Sequence, residues 1–230
     1  TSAGTYNWSS VTWSLGHVPT PCENVVINYN EPTNGADYVT FNINQAINVK
    51  NFTISNTTGN NGLKSIDVVA AFPVVINGDL TISTQCNNQN SEAFLGADNT
   101  SIKVTGNTVI GGTGPSTVEG LASFGSYTGT NSYDLMGNVT FNPTGYNYSG
   151  GVWNFDATGT QTIADYSGID LIRFEDFNVG KVNTPTVIIG GGATAPLYVL
   201  NNLTVNSGST LSIPNTFNLN QYNVSNGILT

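Results

Sequence analysis

The chain has 230 residues, and only 8% of them are Asp, Glu, Lys or Arg, against about 25% in an ordinary soluble protein. With 33 Asn, 30 Thr, 19 Ser and 26 Gly, its surface must be hydrated by amides and hydroxyls. The net charge of −9 and five scattered basic residues exclude binding to a nucleic-acid phosphate backbone, and no apolar run approaches the ~18 residues of a membrane span.

The first 24 residues predict a cap. The opening Thr1-Ser2-Ala3-Gly4-Thr5 lacks the basic and apolar regions of a signal peptide, which is typical of a mature terminus or an excised piece. Trp8 and Trp13 are followed by Pro19, and proline cannot donate to a β-ladder. We expect residues 1–24 to cross the first coil of a repeat structure, with both indoles covering its apolar interior.

The rest of the chain predicts short β-strands. Apolar and polar residues alternate with period two, and Asn-Gly and Gly-Gly turns separate the segments. One unit, in which a polar residue separates two apolar β-formers, recurs after Asn, Asp or Gly. It occurs as Asn51-Phe52-Thr53-Ile54, Asp79-Leu80-Thr81-Ile82, Asn138-Val139-Thr140-Phe141 and Asn202-Leu203-Thr204-Val205.

The irregular spacing of this unit favours an all-β parallel β-helix, also called a β-solenoid. Strands near Leu203, Leu211, Phe217 and Val224 follow each other at about eight-residue intervals, as in coils of about 22 residues. We expect parallel pairing between residues about 20 to 30 positions apart. Tandem β-sandwich domains, with turns every 8 to 12 residues, are the alternative.

The domain prediction is a single solenoid over residues 1–230. The Gly- and Tyr-rich stretch near 111–151 predicts a loop excursion from the coils. The final segment, 224–230, stops within an apolar alternation, so we expect the chain to be a fragment of a longer protein.

Several stretches resemble repeats of cell-surface adhesins from gliding and biofilm-forming Bacteroidota. Those repeats run Trp, a short gap, Trp, Gly, Val-Pro-Thr, an acidic residue and a Val/Ile strand. The matching residues are Trp8, Trp13, Gly16, Val18-Pro19-Thr20, Glu23 and Val25-Val26-Ile27, then Trp153-Asn154-Phe155-Asp156-Ala157-Thr158-Gly159-Thr160-Gln161-Thr162-Ile163, and Leu203-Thr204-Val205-Asn206-Ser207-Gly208-Ser209-Thr210-Leu211. The resemblance implies β-helix coils, export by the type IX secretion system and a role in adhesion or gliding motility.

An enzyme is the main alternative, because β-helices also host polysaccharide lyases and glycosidases. Arg173 is the only arginine, and we expect it to pair with Asp170, Glu175 and Asp176. A glycosidase needs two carboxylates held about 5 to 9 Å apart. The densest acidic stretch, 156–176, reads as a solvated edge, with weak Ca²⁺ binding left open.

Five aromatic residues give the best indication of a binding site. Rigid rings among hydroxyls and amides suit sugar stacking, while packing against the solenoid wall is the alternative. The candidate ligand-binding residues are Tyr127, Tyr133, Tyr146, Tyr148 and Trp153.

Other functional groups are sparse. Cys22 and Cys86 are the only cysteines. In an exported protein they could form a disulfide, and the alternative is two unpaired, buried thiols. The only histidine, His17, is expected to be a terminal residue without a catalytic role. We expect no metal and no cofactor.

The sequence therefore predicts a non-enzymatic structural and adhesive segment of an extracellular, bacterial cell-surface protein. Its expected partners are surface polysaccharide or another extracellular surface and neighbouring repeats of the same chain. A carbohydrate-active β-helix enzyme and a dedicated carbohydrate-binding module remain the alternatives.

Overall fold

The computed structural model describes residues 4–30, 37–57, 64–85, 92–112, 120–126, 130–166, 172–190, 198–213 and 228–229. These residues form 22 strands and no helix. The first eleven are β1 (Gly4–Asn7), β2 (Asn24–Tyr29), β3 (Asp37–Ile43), β4 (Ile47–Val49), β5 (Asn51–Asn56), β6 (Lys64–Ala70), β7 (Val74–Ile76), β8 (Leu80–Thr84), β9 (Glu92–Ala97), β10 (Ser101–Val104) and β11 (Thr108–Ile110). The others are β12 (Leu121–Ser126), β13 (Ser132–Leu135), β14 (Val139–Phe141), β15 (Gly145–Ser149), β16 (Val152–Phe155), β17 (Thr160–Asp165), β18 (Arg173–Val179), β19 (Thr186–Gly190), β20 (Tyr198–Val205), β21 (Thr210–Ser212) and β22 (Ile228–Leu229).

The strands form three parallel sheets of six, seven and nine strands. Their orders are β1-β3-β6-β9-β12-β15, then β20-β18-β16-β13-β10-β7-β4, and β2-β5-β8-β11-β14-β17-β19-β21-β22. Each described strand pair is parallel, as between β3 and β6, β10 and β13, or β5 and β8. The predicted parallel β-helix is therefore confirmed, and the alternative of antiparallel β-sandwiches is wrong.

Each complete coil takes one strand from the six-, seven- and nine-stranded sheet in that order, and five complete coils run from β3 to β17. Neighbouring coils are 27 residues apart at Asn24 and Asn51 and 24 apart at Asn138 and Thr162. The predicted spacing of about 20 to 30 is therefore close to the observed one. The first coil is longer, with 35 residues between Asn7 and Asn42, because residues 8–23 leave the sheets.

The core fills the interior of the coils. Burial alternates along the strands, so that Val25, Ile27 and Tyr29 of β2 are buried while the residues between them are exposed. Parallel in-register pairing then stacks like positions, as where Ile54 pairs with both Ile27 and Ile82. The outward positions are left for polar residues.

The N-terminal segment packs two indoles against the first coil. Trp8 is fully buried, and its ring centroid lies 4.6 Å from that of Trp13, 6.0 Å from Phe52 and 6.1 Å from Phe41. Part of the predicted cap is nevertheless a strand, since β1 pairs with β3 in the six-stranded sheet.

The predicted loop excursion near 111–151 is wrong for the described residues. This stretch supplies β12 to β15, which join all three sheets, while residues 113–119 and 127–129 lie outside the described ranges. Its glycines serve close backbone packing within the coils. A Cβ on Gly145 would lie 2.2 Å from the Ile110 carbonyl oxygen, and Gly125 has a φ of +120°, which favours glycine.

Candidate functional site: a groove on the six-stranded sheet

Two of the five predicted binding residues lie in the core. Tyr133 and Trp153 are both 0% exposed, and their stacked rings are 4.3 Å apart. The prediction that they contact a ligand is therefore wrong, and packing inside the coil explains these aromatic side chains. Tyr127 lies outside the described residues.

Tyr146 and Tyr148 lie on the outer face of the six-stranded sheet. They occupy alternate positions of β15 and pair with Ser123 and Gly125 of β12. Their hydroxyls touch each other, and both reach Oε1 of Glu92, at 3.1 Å from Tyr146 and 3.0 Å from Tyr148. The two tyrosines thus extend across β12 to β9.

Glu92 is held by three hydroxyl groups, because Ser123 Oγ also donates to its Oε1. Burial raises the pKa of Tyr146, and the charge of Glu92 raises it further. The Tyr146 hydroxyl therefore stays protonated and available as a donor.

Gly96 leaves room for the aromatic ring of Phe94. The rings of Phe94 and Tyr148 meet edge to face, with centroids 5.3 Å apart. A Cβ on Gly96 would be 2.2 Å from Cζ of Phe94. The Phe94 ring therefore lies over Gly96, and a larger residue there would displace it.

Asp67 is the second carboxylate of this surface. It pairs in register with Phe94, while Glu92 pairs with Ser65, so the two acids are diagonal neighbours on adjacent strands. Asp67 accepts no hydrogen bond from the described residues. Burial, and secondly the charge of Glu92, raise the pKa of Asp67 from 3.8 to about 6.

These residues border an open depression of about 400 Å³, which we call the groove. Its walls are acidic, aromatic or small, and none of the chain's basic residues lines it. The lining residues are Asp67, Val69, Glu92, Phe94, Gly96, Ala97, Asp98, Ser126 and Tyr148. The sequence alone does not indicate Asp67, Glu92 and Phe94, because they come from two coils and only the register between β6 and β9 brings them together.

The acidic stretch 156–176 serves the structure instead. Oδ1 of Asp156 accepts from the backbone nitrogens of Val182 and Asn183 at 3.0 and 2.9 Å. Oδ1 of Asp176 accepts from the backbone nitrogen of Asn202 at 3.1 Å, beside a register shift in β18. Asp170 lies outside the described residues, but Asp156, Glu175 and Asp176 accept hydrogen bonds from neighbouring coils and do not form a merely solvated edge.

The predicted pairing of Arg173 is not found for the described acids. Its guanidinium lies over the ring of Tyr198, 5.8 Å from the centroid. Glu175 accepts instead from the backbone nitrogen of Gly151 at 2.8 Å. Since neither Glu175 nor Asp176 forms an ion pair with Arg173 in the described part of the chain, this expectation is wrong for both.

The remaining candidate groups lie elsewhere. Cys22 has an exposed, free thiol, which gives the predicted disulfide no support and makes the alternative of a buried thiol wrong for this residue. Cys86 lies outside the described residues. His17 Nε2 is 3.4 Å from Glu23 Oε1 in the N-terminal segment. Within the described ranges, no cluster of three or more His, Cys, Asp or Glu side chains suits a metal ion, and no helix is long and apolar enough to cross a membrane.

Comparison with known proteins gives no match: no family model, no curated protein and no solved structure matches the chain significantly.

Proposed function

We propose that the chain is a non-enzymatic, adhesive β-solenoid segment of an exported cell-surface protein, and that it attaches to glycans through the groove. The observation that carries this proposal is the pairing of ring surfaces with hydrogen-bonding groups in one depression. Phe94 and Tyr148 offer aromatic surface, while Asp67 and Ser126 add polar atoms. Sugars present both apolar C–H faces and hydroxyls, so such a surface suits them.

The solenoid suits adhesion for a mechanical reason as well. Backbone hydrogen bonds join each described coil to the next, and a stacked array can repeat a weak site many times. Linked weak sites raise the overall binding strength without new contacts. The resemblance to Bacteroidota adhesin repeats supports the same proposal and adds the cell surface as location and neighbouring repeats as partners.

A glycan array with the purified chain tests the proposal. We expect Tyr148→Ala to weaken binding by up to about tenfold, since an aromatic contact contributes about 0.5–1.5 kcal/mol. Tyr166→Ala is the matched control, because Tyr166 is 52% exposed and does not line the groove. Equal binding by both variants, with unchanged melting temperatures, would contradict a glycan site in the groove.

One observation favours a second candidate, a glycoside hydrolase. Glycosidases use two neighbouring carboxyl groups, one of which has a raised pKa. In the groove, Asp67, whose pKa is raised to about 6, lies diagonally beside Glu92. Incubation with a polysaccharide panel separates the two candidates. Release of reducing ends that is lost in both Asp67→Asn and Glu92→Gln would favour the hydrolase over the adhesive segment.

A further inference from the structure

The groove combines negative charge with aromatic surface and lacks a cation of its own. Asp67, Glu92 and Asp98 all line it. Of the chain's basic residues, Lys64 is on the same strand as Asp67, but it is buried and lies an odd number of residues away, toward the opposite face of the sheet. Lys181 is engaged by Asp134 at 3.0 Å. The acidic residues of the groove could therefore be neutralised by a cation from outside the chain.

The two carboxylates of the groove, Glu92 and Asp67, differ in the hydrogen bonds that they accept. Oε1 of Glu92 already accepts from Ser123, Tyr146 and Tyr148. Asp67 has no hydrogen-bond donor among the described residues, although it is half-buried beside that negative charge. A bound cation would neutralise the repulsion between the two acids.

We propose that the groove selects glycans that carry free amino groups, as polymers of 2-amino-2-deoxyhexose do. This inference rests on the proposed glycan-binding function. The ammonium group pairs with the Asp67 carboxylate, and the sugar ring packs against Tyr148 and Phe94. The same rings attract a cation near their faces, whereas an acetylated amine carries no charge and gains neither contact.

We expect the affinity of the groove for amino glycans to pass through a maximum as the pH is varied. Binding needs ionised Asp67, whose pKa is about 6, and a protonated sugar amine, which loses its proton near the pH of α-amino groups, about 7.7–8.0. The other titratable groups facing the groove are Glu92 of β9, Asp98 directly after β9, Tyr146 and Tyr148 of β15, and Tyr38 of β3, which pairs with Ser65. No described histidine, lysine or arginine faces it, so we expect the affinity to peak between pH 6 and 8.

Calorimetric titration of the whole chain with glucosamine hexamer and N-acetylglucosamine hexamer tests this. At pH 7 we expect the amino form to bind about tenfold or more tightly, the effect of one charged hydrogen bond. Asp67→Asn should abolish that preference and leave the acetylated form unaffected. Asp134→Asn is the control, because it changes the net charge equally on the seven-stranded sheet.

Four outcomes are decisive. Amino selectivity that is lost only in Asp67→Asn, with a melting temperature at least equal to that of the wild type, supports the inference. Equal binding of both hexamers overturns it but preserves the glycan-binding function, whereas binding of neither overturns both. Tighter binding of a lysine-containing peptide than of the amino hexamer also overturns it, because the site would then select amines on proteins.

Discussion

Oδ1 of Asp79 accepts a hydrogen bond of 2.7 Å from the backbone nitrogen of Asn107 on the next coil. The same contact recurs along one edge of the nine-stranded sheet. Asn51 Oδ1 accepts from the nitrogen of Asp79 at 2.8 Å, Asn107 Oδ1 from that of Asn138 at 3.1 Å, and Asn138 Oδ1 from that of Thr162 at 2.8 Å. A ladder of side chains therefore joins consecutive coils where β-strands begin.

Replacing one residue of this ladder should weaken the stack. Asp79→Ala removes the acceptor of the Asn107 amide, and a hydrogen bond to a charged group contributes about 1.5–3 kcal/mol. Because the site is exposed to water, we expect the free energy of unfolding to fall by about 1–2 kcal/mol in urea titrations. Asp79→Asn keeps Oδ1 and is the control. Equal losses in both variants would show that the charge, not the acceptor, matters.

The second prediction concerns the stability effect of replacing a glycine beside the ladder. A Cβ on Gly106 would lie 2.4 Å from Oδ1 of Asp79 and 2.6 Å from the carbonyl carbon of Gly78. Since backbone atoms cannot move aside, we expect Gly106→Ala to cost about 1–3 kcal/mol, as overpacking does. Gly159→Ala is the matched control, because nothing lies within 4 Å of a Cβ there. Equal melting temperatures of the two variants would contradict this account.

The ladder shows why the fold was predictable from the sequence. The unit Asn51-Phe52-Thr53-Ile54 contains a ladder residue followed by inward Phe52 and Ile54. The units that begin at Asn51, Asp79 and Asn138 thus each carry an inward pair and a contact to the next coil, whereas the unit at Asn202 lies in the seven-stranded sheet. These are local features, so alternation and turn residues suffice to detect them.

The groove was not predictable, because it depends on register between coils. Tyr133 and Tyr146 are each followed by a polar residue and then a large side chain. Tyr133 nevertheless points into the core together with Leu135, whereas Tyr146 faces outward. Asp67 of β6 and Glu92 of β9 are separated by most of a coil, including β7 and β8, so the length of that coil sets their alignment. Residues 58–63 and 86–91 lie outside the described ranges, and nothing in their composition specifies the pairing.

Removing the buried hydroxyl of Thr108 should stabilise the fold. Thr108 is 1% exposed and pairs with Leu80 and Val139 in an otherwise apolar column. Its Oγ1 has no hydrogen-bond partner among the described residues. Leaving a buried polar group unpaired costs about 1–3 kcal/mol, so Thr108→Val should raise the free energy of unfolding by about 1 kcal/mol. The exposed position of Thr160 makes Thr160→Val a neutral control, and a lower melting temperature for Thr108→Val would refute the prediction.

The N-terminal segment should contribute strongly to stability through Trp8. This indole is fully buried against Phe41 and Phe52, whereas Trp13 is only partly buried. We expect Trp8→Ala to cost about 3–5 kcal/mol and Trp13→Ala less. Because Trp8 Nε1 has no partner among the described residues, Trp8→Phe loses packing without losing a hydrogen bond and should be intermediate. Thermal melts that place Trp13→Ala below Trp8→Ala would reverse this assignment.

The carboxylate pair of the groove predicts how stability varies with pH. Folding raises the pKa of Asp67 from 3.8 to about 6, so the folded chain holds this proton more tightly than the unfolded chain does. The contribution is complete below pH 3.8 and is lost as the pH rises through about 6. Asp67→Asn cannot titrate there. Its free energy of unfolding, relative to the wild type, should therefore increase across this window and stay constant above it.

Urea titrations of both proteins between pH 3 and 8 measure this difference directly, because groups common to both cancel. Burial is the larger cause of the shift and the charge of Glu92 the smaller one. Glu92→Gln should therefore reduce the pH dependence without removing it, and the carboxyl carbon of Asp67 should still titrate above its ordinary range by NMR. If the difference in free energy of unfolding between Asp67→Asn and the wild type did not change with pH, water would reach Asp67 freely. The groove would then lack the half-buried acid on which its selectivity for amines depends.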